Sequence, residues 1–184
     1  IDAFQQLPPE RQKMNKRPVL DASASKQWLG NAVKVLEKIP LQKSGFDRID
    51  EVYYFLGFNH WELGDKKEAA ASFEKIVQKY PRSKFVSEAY RYIADFAFAN
   101  RDFKKSKDYY ERAAKMGSTP ARPRILYGLG WSMYKLKDYR GAMNTMKQAI
   151  EVGRNNEEAA KAGLALQRDA ADALALFYAD AGKV

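Results

Sequence analysis

Cysteine is absent from the 184-residue chain, and that absence excludes thiol nucleophiles, iron–sulfur clusters, zinc ribbons and disulfide scaffolds. There is a single histidine, His60, which cannot by itself build a histidine-rich metal site. No apolar run approaches the ~18 residues that a membrane span requires. Acidic residues are in short supply, 23 Asp+Glu against 32 Lys+Arg, for a formal net charge of +9. Proline is sparse, and Pro8, Pro9 and Pro18 crowd into the first twenty residues. The phosphate-binding Gly-x4-Gly-Lys-Ser/Thr loop, the Gly-x-Ser-x-Gly elbow and the His-Glu-x-x-His pair are all missing. Gly128-Leu129-Gly130 lacks both the third glycine and the preceding strand that a dinucleotide loop needs. No enzyme, cofactor or metal site is expected from this sequence. The chain opens on Ile1, which reads as a processed or trimmed fragment, with any signal peptide or anchor expected outside it.

What is present is globular. Hydrophobic residues make up 46% and charged residues 30%, and a chain this long buries about 70% of its extended surface without a covalent staple. The organising feature is a repeat. Gly64-Asp65-Lys66-Lys67-Glu68-Ala69, Arg101-Asp102-Phe103-Lys104-Lys105-Ser106 and Lys137-Asp138-Tyr139-Arg140-Gly141-Ala142 align, with their aspartates 37 and 36 residues apart. Four residues past each small residue (Ala69, Ser106, Ala142) stands a large one: Phe73, Tyr110, Met146. Leu56-Gly57, Ile93-Ala94 and Leu129-Gly130 fall in the same register, and a further step back reaches Ala32 and Leu36.

Each unit reads as two helices. Over 50–63, Val52, Phe55, Leu56 and Trp61 are spaced for one helical face. Gly64 ends that helix in a left-handed residue, Asp65 caps the next with Glu68 completing a capping box, and Tyr80-Pro81 stops it. Ser83 starts the following helix. Asp102 and Asp138 repeat the cap, the segments 116–120 and 153–155 serve as breaks, and 157–181 is a long helical stretch. No strand is predicted.

These residues resemble the tetratricopeptide repeat. Its pattern is met by Tyr53, Leu56, Gly57, His60, Ala69, Phe73 and Pro81 in the first full copy. The second copy offers Tyr90, Ile93, Ala94, Ala97, Ser106, Tyr110 and Ala113, and the third Leu126, Leu129, Gly130, Met133, Ala142, Met146 and Ala149. The resemblance covers roughly residues 26–153 and implies an all-α, right-handed solenoid of antiparallel helix pairs, about seven or eight helices, each unit burying its face on the next. The expected organisation is an irregular leader over 1–20, then one helical array over 21–184. That array comprises a partial repeat at 21–45, repeats at 46–82, 83–118 and 119–154, and a C-terminal helix at 155–184. The last helix either caps the array or begins a further repeat continuing past Val184. The junction Tyr80-Pro81-Arg82-Ser83 is similar to those of bacterial envelope repeat proteins, such as outer-membrane assembly lipoproteins. This points to the periplasm or cell envelope, with the cytoplasm as the alternative.

Candidate sites follow from the repeat register. In such a solenoid the first helices line a concave groove. Tyr54, Phe58, Trp61, Arg91, Asp95, Phe98, Tyr127, Trp131 and Tyr134 are expected to face it, aromatics and arginine being what binding hot spots favour. The function expected is a non-enzymatic interaction scaffold that holds a peptide or helix of a partner protein. The positions at which chaperone-binding relatives hold a C-terminal carboxylate with Lys, Asn and Arg carry Tyr54, Phe58, Tyr92 and Gly128 here, so the resemblance does not imply that activity. The alternative is anion or nucleic-acid binding through a basic belt of Arg101, Lys104, Lys105, Lys107, Arg112, Lys115, Arg122 and Arg124, although a solvated helix face explains the same charges. His60 occupies a position that packs between helices, and the carboxylate groups at 47–51 and 157–158 sit near predicted helix starts, where they favour the dipole.

Overall fold

The computed structural model describes residues 22–39, 47–117, 119–154 and 157–182; the leader expected over 1–20 lies outside them. The described residues form eight α-helices and no strand: α1 (Ala22–Glu37), α2 (Ile49–Leu63), α3 (Lys66–Lys79), α4 (Val86–Ala99), α5 (Phe103–Lys115), α6 (Arg122–Lys135), α7 (Tyr139–Arg154) and α8 (Glu157–Ala181). Each helix packs mainly on its neighbours in the chain. This is the solenoid arrangement, in which stacking supplies the buried face that a single helix pair lacks.

The small–large pairs of the repeat set the helix spacing. Phe73 is fully buried, and the tip of its ring stands where a side chain on Gly57 would begin: a Cβ there would lie 2.8 Å from Cζ. Tyr92 stacks on the other side of Phe73, with centroids 4.4 Å apart and planes 1° from parallel. Met146 is likewise fully buried against Gly130. In the middle unit the pair is polar: Ser106 donates to the carbonyl of Ala94 (3.1 Å) and meets Ser132 (2.9 Å), whose hydroxyl also reaches the carbonyl of Gly128 (2.9 Å). Both serines are fully buried, so these bonds tie α4, α5 and α6 together where water cannot compete. In α1 the buried residue is Val33, while Ala32 and Leu36 are half-buried; among the described residues this helix packs mainly on α2.

The turns within the three full units are superimposable in their bonding. Asp65, Asp102 and Asp138 donate their amides to the carbonyls of His60, Ala97 and Met133, at 2.9, 3.0 and 3.0 Å. The residue before each aspartate is left-handed: Gly64 (φ 95°), Arg101 (φ 61°) and Lys137 (φ 66°). A Schellman-type closure is thus made three times, twice without glycine. The capping side chains are less uniform. Asp102 accepts from the Lys105 amide (3.1 Å) and Asp138 from Gly141 (2.9 Å). Asp65 makes no such bond and lies 3.6 Å from His60 Nδ1 instead, so the capping box expected with Glu68 is not formed. Ser83 does not start α4, which begins at Val86. Its hydroxyl accepts from the Phe85 amide (3.2 Å) and reaches Asp50 (2.5 Å), bridging the junction back to α2. Gly153 and Arg154, expected in a break, continue α7.

Candidate functional site

The first helices of the pairs, α2, α4 and α6, border a cleft of about 510 Å³. Its walls are Trp61 from α2, Asp95 and Phe98 from α4, and Arg124, Tyr127, Gly128, Trp131 and Lys135 from α6, with Tyr110 from α5 entering behind them. The α6 residues at 124, 128, 131 and 135 are separated by four, three and four positions, a spacing that keeps them on one helical face. Gly128 belongs there for a steric reason. A Cβ at that position would lie 2.2 Å from Tyr110 Cζ, so its absence is what admits the phenol.

At the back of the cleft one buried cation is shared between two carboxylates, leaving a net charge of −1, while cations stand at its two ends. Arg91 is buried, 6% exposed, and donates to Glu88 (2.8 Å) and Asp95 (2.7 Å) while its guanidinium lies 3.9 Å from the centre of the Tyr92 ring. Burial works against its charge, but the two carboxylates more than offset this and hold it protonated. The Tyr110 hydroxyl donates to the other oxygen of Asp95. Burial raises the Asp95 carboxyl above the usual aspartate range, against the pull of Arg91 and Tyr110. Tyr110 is itself raised, first by burial and then by Asp95. At the two ends of the α6 stripe, Arg124 and Lys135 are exposed and make no ion pair among the described residues.

Of the nine residues expected in a groove, five line this cleft: Trp61, Asp95, Phe98, Tyr127 and Trp131. The other four are engaged elsewhere, three by packing against other parts of the array and Arg91 by carboxylates of its own helix. Tyr54 stacks on Phe85, 4.3 Å and 17° from parallel, and Phe58 packs half-buried against the first core cluster of the array, which is built around Phe73, Ile76, Tyr92 and Ile93. Arg91 lies beneath the surface, where it reaches Asp95. Tyr134 stacks on Phe177 of α8 (4.4 Å, 14°) and donates to Asp180 at 2.5 Å. Trp131 has both roles, meeting Phe177 edge-on at 5.1 Å while its remaining surface lines the cleft. The eight basic residues of the expected belt are placed differently from one another. Lys107 pairs with Glu111 (3.2 Å) and Arg112 with Asp108 (3.0 Å). Arg122 is spent on the carbonyls of Ala114 (2.7 Å) and Gly117 (3.1 Å) at the end of α5, and Arg124 lies in the cleft. Arg101, Lys104, Lys105 and Lys115 remain exposed.

Comparison with known proteins bears on the fold. A tetratricopeptide-repeat family model matches residues 50–83 and a second one residues 124–152. The chain carries tetratricopeptide repeats. The fold agrees with solved structures at low identity. PcrH from Pseudomonas aeruginosa superimposes with a TM-score of 0.61 at 16% identity, over 76% of this chain and 99% of that one. A T3SS complex from Aeromonas hydrophila gives 0.63 at 18% identity, over 87% and 98%. MamA from Desulfovibrio magneticus RS-1 gives 0.57 at 14%, over 98% and 92%. No curated protein sequence matches the chain. Tetratricopeptide repeats build protein–protein interaction scaffolds, and this array is of that class. Among the described residues no helix is long and apolar enough to cross a membrane, and no group of three potential metal ligands occurs.

One feature of this repeat array is hidden from sequence reasoning. Tyr110 reads as a core residue because Phe73 and Met146 share its register; the signal is its hydroxyl, which a buried tyrosine must satisfy. Arg124 clusters with the belt by charge, whereas the repeat register puts it, with Lys135, on the groove face of α6, and there it lies.

Proposed function

We propose that this tetratricopeptide-repeat array is a non-enzymatic scaffold whose α2–α4–α6 cleft holds a segment of a partner protein, within a bacterial envelope or motility complex. The observation that carries the reading is the convergence of Trp61, Phe98, Tyr127 and Trp131 from three successive first helices on one open cleft. Aromatic side chains supply large contact areas at a small entropic cost, which is why they anchor interfaces. Asp95, held from behind by Arg91 and Tyr110, gives that surface a fixed polar point. The envelope setting rests on the Tyr80-Pro81-Arg82-Ser83 junction and on the 36–37-residue period of the repeat.

Site-specific photocrosslinking tests the reading. A photoreactive residue replacing Tyr127 or Phe98 should label one segment of one partner in cells of the native host. The same group replacing Lys104, on an exposed part of α5, should not label that segment. Equal labelling from both positions would remove the cleft from the function. The nucleic-acid alternative is tested by oligonucleotide binding at about 50 mM salt, where phosphate-driven association is strong and falls steeply as salt rises.

A further inference from the structure

We infer that the segment held in the cleft is an extended acidic peptide, carrying two carboxylates about five residues apart with an aromatic or large aliphatic side chain between them. The inference rests on the proposed cleft function and adds the chemistry of the partner. Along α6 the order is cation, aromatics, cation: Arg124, then Tyr127 and Trp131, then Lys135. Eleven residues of α-helix separate the two cations, a rise of about 16 Å. An extended chain covers that distance in about five residues at ~3.3 Å each. In a bound helix the same span takes about eleven residues at ~1.5 Å each, so the spacing of the carboxylates tells the two conformations apart.

Charge complementarity selects the sign. Among the described residues Asp95 is the one carboxylate lining the cleft, and both its oxygens already accept hydrogen bonds, from Arg91 and from Tyr110. Arg124 pulls on Asp95 without forming an ion pair with it, and Lys135 lies over the Trp131 and Tyr134 rings; both cations are exposed at the ends of the cleft, where a ligand's carboxylates can reach them. Lys135 Nζ lies 5.7 Å from the Trp131 ring centre, so a carboxylate bound there comes down beside the indole. A cation-rich aromatic cleft also fits single-stranded nucleic acid in principle. Asp95 at the back and Glu88 behind Arg91 oppose a continuous phosphate backbone, whereas a peptide with charges only at its ends avoids both.

The test is a random twelve-residue peptide-display library selected on the full chain and counter-screened on Trp131→Ala. Peptides that need Trp131 should be enriched in Asp or Glu pairs about five positions apart around Phe, Tyr, Trp or Leu. A synthetic peptide of that pattern should bind at least ten-fold more weakly when both glutamates become glutamine. On Arg124→Glu/Lys135→Glu, whose substituted side chains are exposed, the selected pairs should switch to Lys or Arg, with unchanged helicity showing that the variant folds. Trp131-dependent peptides with no acidic enrichment would overturn the inference and leave the cleft reading standing. No Trp131-dependent peptide at all would overturn both. Trp131-dependent binding of an oligothymidine strand, tighter than that of any selected peptide, would assign the cleft to nucleic acid and overturn the inference.

Discussion

At the residue scale, two glycines in equivalent positions should respond oppositely to the same substitution. Gly57 faces the tip of an aromatic ring, with three Phe73 carbons 2.8–2.9 Å from a would-be Cβ, and that ring is held by the Tyr92 stack. Gly130 faces the terminal methyl of Met146 at 3.0 Å, the end of a chain with three rotatable bonds. Replacing a mid-helix glycine by alanine gains up to about 1 kcal/mol in helix propensity, and overpacking costs ~1–3 kcal/mol. Gly57→Ala should therefore lower the thermal midpoint, while Gly130→Ala should leave it level or raise it. Equal losses in the two melting curves would show that Met146 cannot yield. Asp95 offers a second check. Its carboxyl is raised above the ordinary value of 3.8, so the folded chain keeps this proton to higher pH than the unfolded chain. Its contribution to stability then falls as pH climbs from about 4 through the folded midpoint and is flat above it. Carboxyl-carbon NMR should find Asp95 titrating above the other aspartates, and a midpoint at or below 3.8 would contradict the burial argument. Arg91→Ala should cost about 3–5 kcal/mol, because it strands Glu88 and Asp95 without their counter-charge.

At the scale of elements, α8 completes the array through one residue. Phe177 is fully buried between Trp131 and Tyr134, and Ala170 and Ala173 let α8 approach the Ala142 and Met146 face of α7. Phe177→Ala should cost about 3–5 kcal/mol through the cavity it leaves. It should also loosen α8 before the rest, red-shifting the emission of Trp131 at denaturant concentrations where Trp61 is unchanged, once Trp28 has been replaced by phenylalanine. Coincident transitions for the two tryptophans would show instead that α8 melts only with the whole array. Phe73→Ala, in the first unit, should cost a similar ~3–5 kcal/mol, but it should move the Trp61 transition first.

At the scale of the molecule, the same aromatic residues serve two purposes, and mutants should separate them. Trp61 is half-buried against the first core cluster and Trp131 against α8, so the double variant Trp61→Ala/Trp131→Ala should lose partner capture together with a measurable fraction of stability. Its helicity should persist, because the repeat pairs at Gly57–Phe73 and Gly130–Met146 are untouched. Pull-down and circular dichroism on one preparation decide this. Capture retained by a folded double variant would mean that the partner docks elsewhere.

Helix pairing was legible from a 36–37-residue spacing of small and large residues, because those residues meet locally, within one helix pair, and a period along the chain reports local contacts. The turns were legible for the same reason, even where Arg101 and Lys137 stand in for glycine, since the bonding closes over six consecutive residues. The destination of the aromatics was not. Tyr54, Phe58, Trp61, Tyr127, Trp131 and Tyr134 all occupy outward positions of first helices, yet Phe85, the first core cluster and Phe177 take up most or part of that surface. Nothing in the spacing of α6 announces that a phenylalanine forty-odd residues later will cover Tyr134 and leave Tyr127 open. Nor does charge along the chain separate Arg124 from Arg122, two residues apart, one facing the cleft and the other closing α5. Periodicity records which residues lie on one face of a helix; what that face meets depends on how successive pairs stack, and that is a long-range, tertiary property.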